Sequence, residues 1–191
     1  MTSGMPGQDS AAGWRSDPDL RPVDVVVCTT AGTFVGHTYR SSRTRLLETL
    51  NKGFAARAAR IGLDYIPLTE VETYLPGGER GKMASVHIRK CNVILVAERR
   101  GGQPEGEASK AGRVATAKKP VEATVRTIPH ALVGQLHSAA WAELVTTLHQ
   151  EETFIPMTKV RISPPLATGE SEFDFVAVNK DQVVYVGEPP G

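Results

Sequence analysis

The chain reads as a mainly β protein with one helix per repeat, an α+β arrangement of two tandem five-stranded modules. Three observations carry that reading. The stretch YIPLTEV (Tyr65 to Val71) returns as FIPMTKV (Phe154 to Val160) with Ile, Pro, Thr and Val in register. VHIRKCNVILVAE (Val86 to Glu98) returns as VAVNKDQVVYVGE (Val176 to Glu188), and FVGHTYRSSRTRLLETLN (Phe34 to Asn51) aligns with LVGQLHSAAWAELVTTLH (Leu132 to His149). Three blocks repeated in one order indicate a tandem duplication. A unit of roughly 70 to 75 residues is marginal as an isolated core, so the copies are expected to share apolar surface.

The divisions follow from composition. Residues 1–21, rich in Gly, Ser, Asp and Pro without periodicity, read as a disordered tail, and 99–120 as a flexible linker. Repeat 1 spans 22–98 and repeat 2 spans 121–188, each with the order β-β-α-β-β-β.

In repeat 1, Val23, Val25 and Val27 alternate up to Ala31-Gly32, and Thr33 to Tyr39 resumes an extended pattern, which predicts a hairpin. Val121, Ala123, Val125 and Thr127 replay it before Pro129-His130. Gly36 and Gly134 occupy the same place in the second strand, where a strand-interior glycine marks a bulge or bend. Leu46, Leu47 and Leu50 then share a helical face, with Ser42 or Thr44 as the cap; Trp141, Leu144, Val145 and Leu148 repeat the period. Nine extra residues within KGFAARAARIGLD are expected to lengthen the first helix. In the [YF]IP[LM]T strand, Pro67 or Pro156 lacks a ladder donor and belongs at an edge or strand start. Gly- and Pro-rich loops at Pro76 to Lys82 and Pro164 to Ser171 follow. The last block predicts a hairpin turning through Arg89 to Asn92, and through Asn179 to Gln182 in repeat 2. Five short bent strands with one helix fit a small, partly open barrel of the SH3 or Sm type, or a curled sheet, the copies being related by pseudo-two-fold symmetry.

The [FY]-I-P-[LM]-T-x-V strand followed by V-x-[VI]-[NR]-K-[DC]-x-V resembles an uncharacterised family of small bacterial domains with an FIPLT strand and a VNRD-like hairpin. Repeat 2 matches better, through Phe154, Ile155, Pro156, Val178, Asn179, Lys180 and Asp181; repeat 1 departs at Arg89 and Cys91. The resemblance implies a fold and no activity, so it assigns no functional residue. A looser similarity to the paired barrels of bacterial chemotaxis coupling proteins concerns fold alone.

Composition excludes several classes. Cys28 and Cys91 have no CxxC spacing and no counterparts in repeat 2, which argues against a disulfide or zinc site and for a reducing cytoplasm. The start MTSGMPGQDSAAGW lacks a basic segment followed by an apolar run, so no signal peptide is expected, and no apolar stretch approaches the roughly 18 residues needed to cross a bilayer. His37, His87, His130, His137 and His149 lack metal-ligand spacing and read as surface residues. Neither GxSxG, nor a P-loop, nor GxGxxG before a helix occurs, so no cofactor, metal or catalytic residue is assigned. An enzyme would need an unrecognised site.

Charge offers the one functional lead. Asp24 to Arg100 holds 12 Lys plus Arg against 7 Asp plus Glu, and Val121 to Gly191 holds 4 against 9, so these stretches carry +5 and −5. Opposite charge disposes the copies to meet, within or between chains, although drift on two solvated surfaces gives the same totals. The sequence therefore predicts a non-enzymatic protein-interaction or scaffolding module, with a protein partner or self-association. Strand addition at a barrel edge, or docking between the copies, is the expected mode. Contacts are expected from Arg43, Arg45, Arg57 and Arg60 on repeat 1 and Glu151, Glu152, Glu170 and Glu172 on repeat 2. Ile66, Pro67, Val71, Ile155, Pro156 and Val160 are structural. The alternative is RNA binding through the basic face of repeat 1, for which stacking aromatics are few and a solvated helix face is the plainer explanation.

Overall fold

The computed structural model describes residues 19–53, 64–99, 120–137 and 152–187. Repeat 1 contributes β1 (Leu20–Thr29), β2 (Gly32–Ser41), helix α1 (Leu46–Lys52), β3 (Tyr65–Tyr74), β4 (Arg80–Arg89) and β5 (Val93–Glu98). Repeat 2 contributes β6 (Pro120–Thr127), β7 (Ala131–His137), β8 (Phe154–Ser163), β9 (Glu172–Asn179) and β10 (Val183–Gly187). Single 3-10 turns, Lys90–Asn92 and Lys180–Gln182, precede β5 and β10. The helix expected around Trp141 and the extension of α1 fall outside the described residues, as do most of the tail and linker. No helix among the described residues is long and apolar enough to cross a membrane.

All ten strands join one antiparallel sheet in the order β10-β6-β7-β8-β9-β5-β1-β2-β3-β4. This overturns the expectation of two five-stranded barrels. The reason lies in β5, whose sequence VILVAE is apolar on both faces. Val93 and Val96 enter one core, with Val25, Val27, Leu50, Ile66 and Leu68 of repeat 1. Ile94, Leu95 and Ala97 enter a second core, with Leu132, Met157, Val160 and Val178 of repeat 2. A closed barrel buries one face of each strand, so β5 requires a second layer, and repeat 2 provides it. The predicted β4–β5 hairpin is overturned for the same reason: β4 pairs with β3, while β5 pairs with β1 on one side and β9 on the other.

Within each repeat the strand order is the same, β5-β1-β2-β3-β4 and β10-β6-β7-β8-β9. The copies are joined at unlike edges, through Leu95↔Val178, Val96↔Ala177 and Ala97↔Val176. That is a head-to-tail junction. A two-fold relation would pair like edges, so the pseudo-two-fold expectation is corrected as well.

Bends recur in both copies. The β2–β3 register shifts between Val35 and His37, and the β7–β8 register between Val133 and Gln135. The extra residue on the facing strand, Glu70 or Lys159, takes a positive φ of 54° or 52°. A β-carbon on Gly36 would lie 2.8 Å from the Thr69 carbonyl oxygen, and one on Gly134 2.9 Å from that of Thr158. Glycine is required there by close backbone approach. Pro67 lies in an inner strand, but β2 pairs with β3 only from Thr69 onward, and the Thr38 hydroxyl donates to the Pro67 carbonyl at 3.0 Å. The missing N–H is thus never asked to join a ladder.

The helix departs from expectation at its start. Its N-cap is Arg45, without a side-chain cap, and Thr44 instead meets Ser41 and Thr49. The C-terminal end is better tied: the buried Lys90 ammonium donates to the Leu50 carbonyl at 2.6 Å, a cation at the negative end of the helix dipole. Asn51 bridges the copies, its amide donating to the Phe154 carbonyl at 3.0 Å and its oxygen accepting from the Phe154 N–H at 2.8 Å.

Candidate functional site

Of the charged residues singled out by the sequence, those described are not gathered into one surface. Arg43 and Arg45 are exposed ahead of α1, while Arg57, Arg60 and Glu151 lie outside the described residues. Glu152 is exposed. Glu172 faces Arg161 of its own repeat at 3.7 Å. Glu170 accepts from Arg99 Nε at 2.9 Å, which ties repeat 2 to the first linker residue after β5.

Three clusters were candidates for chemistry. Cys28 and His130, from different repeats, approach at 3.6 Å between Sγ and Nε2. His130 Nδ1 lies 3.0 Å from the Pro164 carbonyl, which can only accept, so Nδ1 carries the proton and Nε2 accepts from the thiol. Burial pushes the Cys28 thiol up to about 11, only partly offset by a hydrogen bond with Thr33. Burial likewise lowers His130, with the Pro164 carbonyl opposing and Arg126 adding to the shift. A thiol so buried is not a nucleophile. The pair is a core hydrogen bond between copies, and His130, expected at the surface, is 6% exposed.

The second cluster places His37 between two carboxylates, Nδ1 against Asp24 and Nε2 3.3 Å from Glu70. Both ring nitrogens are engaged by carboxylates, so the ring clamps β1, β2 and the bulge together. The third is a groove lined by Glu72, Thr73, Tyr74, Arg80, Gly81 and Lys82. Its charges satisfy one another: Lys82 is 3.2 Å from Glu72 and holds that carboxyl below the usual range, while the Arg80 guanidinium sits 5.1 Å from the Tyr74 ring centre. Among the described residues no group of His, Cys, Asp and Glu could hold a metal ion.

What remains is the pair of sheet edges, β10 and β4. The duplication provides an internal standard for each, because their counterparts β5 and β9 are buried at the junction. β10 copies β5 closely, including a bulge: the β1–β5 register shifts across Ile94, and the β6–β10 register across Val184. Yet Ile94 and Leu95 are 1% and 0% exposed, whereas Val184 and Tyr185 at the same positions are 59% and 54% exposed. At the other edge Phe173 is 4% exposed and its counterpart Met83 48%. Phe154, covered by α1, is fully buried, while its counterpart Tyr65 is 37% exposed.

Proteins usually blunt an edge strand with charge, proline or shortness. β4 carries the charges Arg80, Lys82 and Arg89, whereas β10 (VVYVG) carries neither charge nor proline and is blunted only by its length of five residues. Sequence reasoning named strand addition but placed the contacts on charged residues. The usable signal was that VVYVG is as apolar as VILVA, so both strands are built to be covered.

Comparison of this chain with known protein families, curated proteins and solved structures finds no match.

Proposed function

We propose that this protein is a non-enzymatic interaction module, and that partners dock by adding a strand to its open sheet edges. One observation supports the reading above others. The apolar side chains Val184 and Tyr185 of β10 are exposed on an edge that no other strand among the described residues pairs with, at positions whose counterparts in β5 are buried at the junction with repeat 2. Main-chain groups of an edge supply affinity, and alternating side chains supply selectivity. The closed chemistry of the three polar clusters is consistent with this role, since each is consumed in holding the sheet together.

Affinity capture from the native cell tests it, using the full chain and the same chain with Val184→Asp. A partner held through β10 is retained by the former and lost by the latter, with melting temperature unchanged. Equal retention by both chains overturns the reading.

A further inference from the structure

The junction inside the chain is a worked example of how two repeats join. The β9 edge of repeat 2 meets the β5 edge of repeat 1, and the two edges left over are the other member of each kind. β4 is the repeat 1 equivalent of β9, and β10 is the repeat 2 equivalent of β5. A heterologous junction of this sort leaves each chain with one complementary edge at either end.

We infer that the occupant of the β10 edge is the β4 edge of a second copy of this chain, in the register of the internal β5–β9 junction. Carrying that register over sets Tyr185 opposite Ile88, Val186 opposite His87 and Gly187 opposite Val86 of the neighbour. This rests on the edge-docking reading above and names its partner.

Four independent features agree. Val184 and Tyr185 would enter the neighbour's repeat 1 core, as Ile94 and Leu95 enter the core of repeat 2. Met83, exposed at the receiving end, holds the position at which Phe173 is covered. Asn179 secures the internal junction by donating to the Lys90 and Val93 carbonyls at 3.1 and 2.9 Å; its counterpart at the open edge is Arg89, an exposed donor in the same place. Finally, the stretches containing the meeting repeats, Asp24 to Arg100 and Val121 to Gly191, carry +5 and −5, so encounter is favoured electrostatically. Head-to-tail union of this kind generates a closed ring or an open row, depending on the rotation between copies.

The test uses light scattering and native mass spectrometry on the full chain and two single variants. Tyr185→Asp spoils the β10 edge and Met83→Asp the β4 edge; both sites are exposed, so folding is retained and is verified by melting. The wild type is expected to exceed its monomer mass of 20.6 kDa in integral multiples as concentration rises. Each variant alone is expected to stay monomeric, its association weakened by roughly a hundredfold or more because a carboxylate enters apolar contact. Mixed together, the variants still own one good β10 and one good β4 edge, and they form a dimer that grows no further.

A Met83→Asp chain that dimerises by itself overturns the inference, since it would show β10 pairing with β10. A wild type that is monomeric at every accessible concentration also overturns it. In that event, capture of another cell protein lost with Val184→Asp would leave the edge-docking reading standing, and its absence would remove both.

Discussion

Replacing Asn179 by alanine should separate the two halves energetically. The side chain is fully buried where β9 meets the turn into β5. Its amide donates to two carbonyls of repeat 1, at 3.1 and 2.9 Å, and its oxygen accepts from the Asp181 N–H at 3.0 Å. Water does not reach the two carbonyls left behind, which cost about 1–1.5 kcal/mol each, while the partly exposed Asp181 N–H costs less, so the three together cost about 3 kcal/mol. For a chain of this size that corresponds to a fall in melting temperature of about 6–12 °C. Urea unfolding followed by circular dichroism measures it directly. The internal control is Arg89→Ala at the equivalent, exposed position of repeat 1, expected to change stability by less than about 0.5 kcal/mol. The reasoning is refuted if Asn179→Ala costs under about 1 kcal/mol, or no more than its counterpart.

Further outcomes follow from the same geometry. Gly36→Ala and Gly134→Ala each drive a β-carbon into a backbone carbonyl and should destabilise by about 1–3 kcal/mol, whereas Gly187→Ala, with open space around it, should be neutral in a dilute denaturation series. His130 titrates below its ordinary 6.5 because it is buried. The unfolded chain therefore takes up a proton that the folded chain refuses. The stability due to neutral His130 is complete above 6.5 and is lost as pH falls from there through the lowered folded value. The urea midpoint should drop between about pH 7 and pH 5, and His130→Gln should flatten that slope; an unchanged slope counts against the assignment. In thiol labelling at mildly alkaline pH, the exposed Cys91 should react at once and Cys28 only on unfolding; equal rates would contradict the buried Cys28–His130 pair.

Much of this molecule was legible in the residues. The repeated blocks fall on matching strands, the β1–β2 turn sits at Thr30-Ala31, one residue before the expected Ala31-Gly32, and Gly36 and Gly134 mark bends because close approach tolerates no β-carbon. What sequence could not decide was whether five strands close on themselves. That choice turns on the second face of β5, and apolar alternation cannot say which layer will cover Ile94 and Leu95. Lys90 was visible only as a turn residue. Its role emerges when the 3-10 corner brings its ammonium to the end of α1, a long-range contact with no local signature. The charge split was also real but diffuse: of the eight charged residues expected to make contacts, only Glu170 forms an ion pair outside its own copy among the described residues, and its partner is the linker residue Arg99. Charge totals report on encounter, while exposed apolar side chains on an edge report on docking.

The central claim is that β10 is a β5 left uncovered. Amide hydrogen exchange on the whole chain compares them in one experiment. The β5 amides should be protected at every concentration, whereas the β10 amides that face away from β6 should exchange fast in dilute solution and slow as the chain is concentrated. Protection of those β10 amides equal to that of β5 in dilute solution, or indifferent to concentration, would contradict the account.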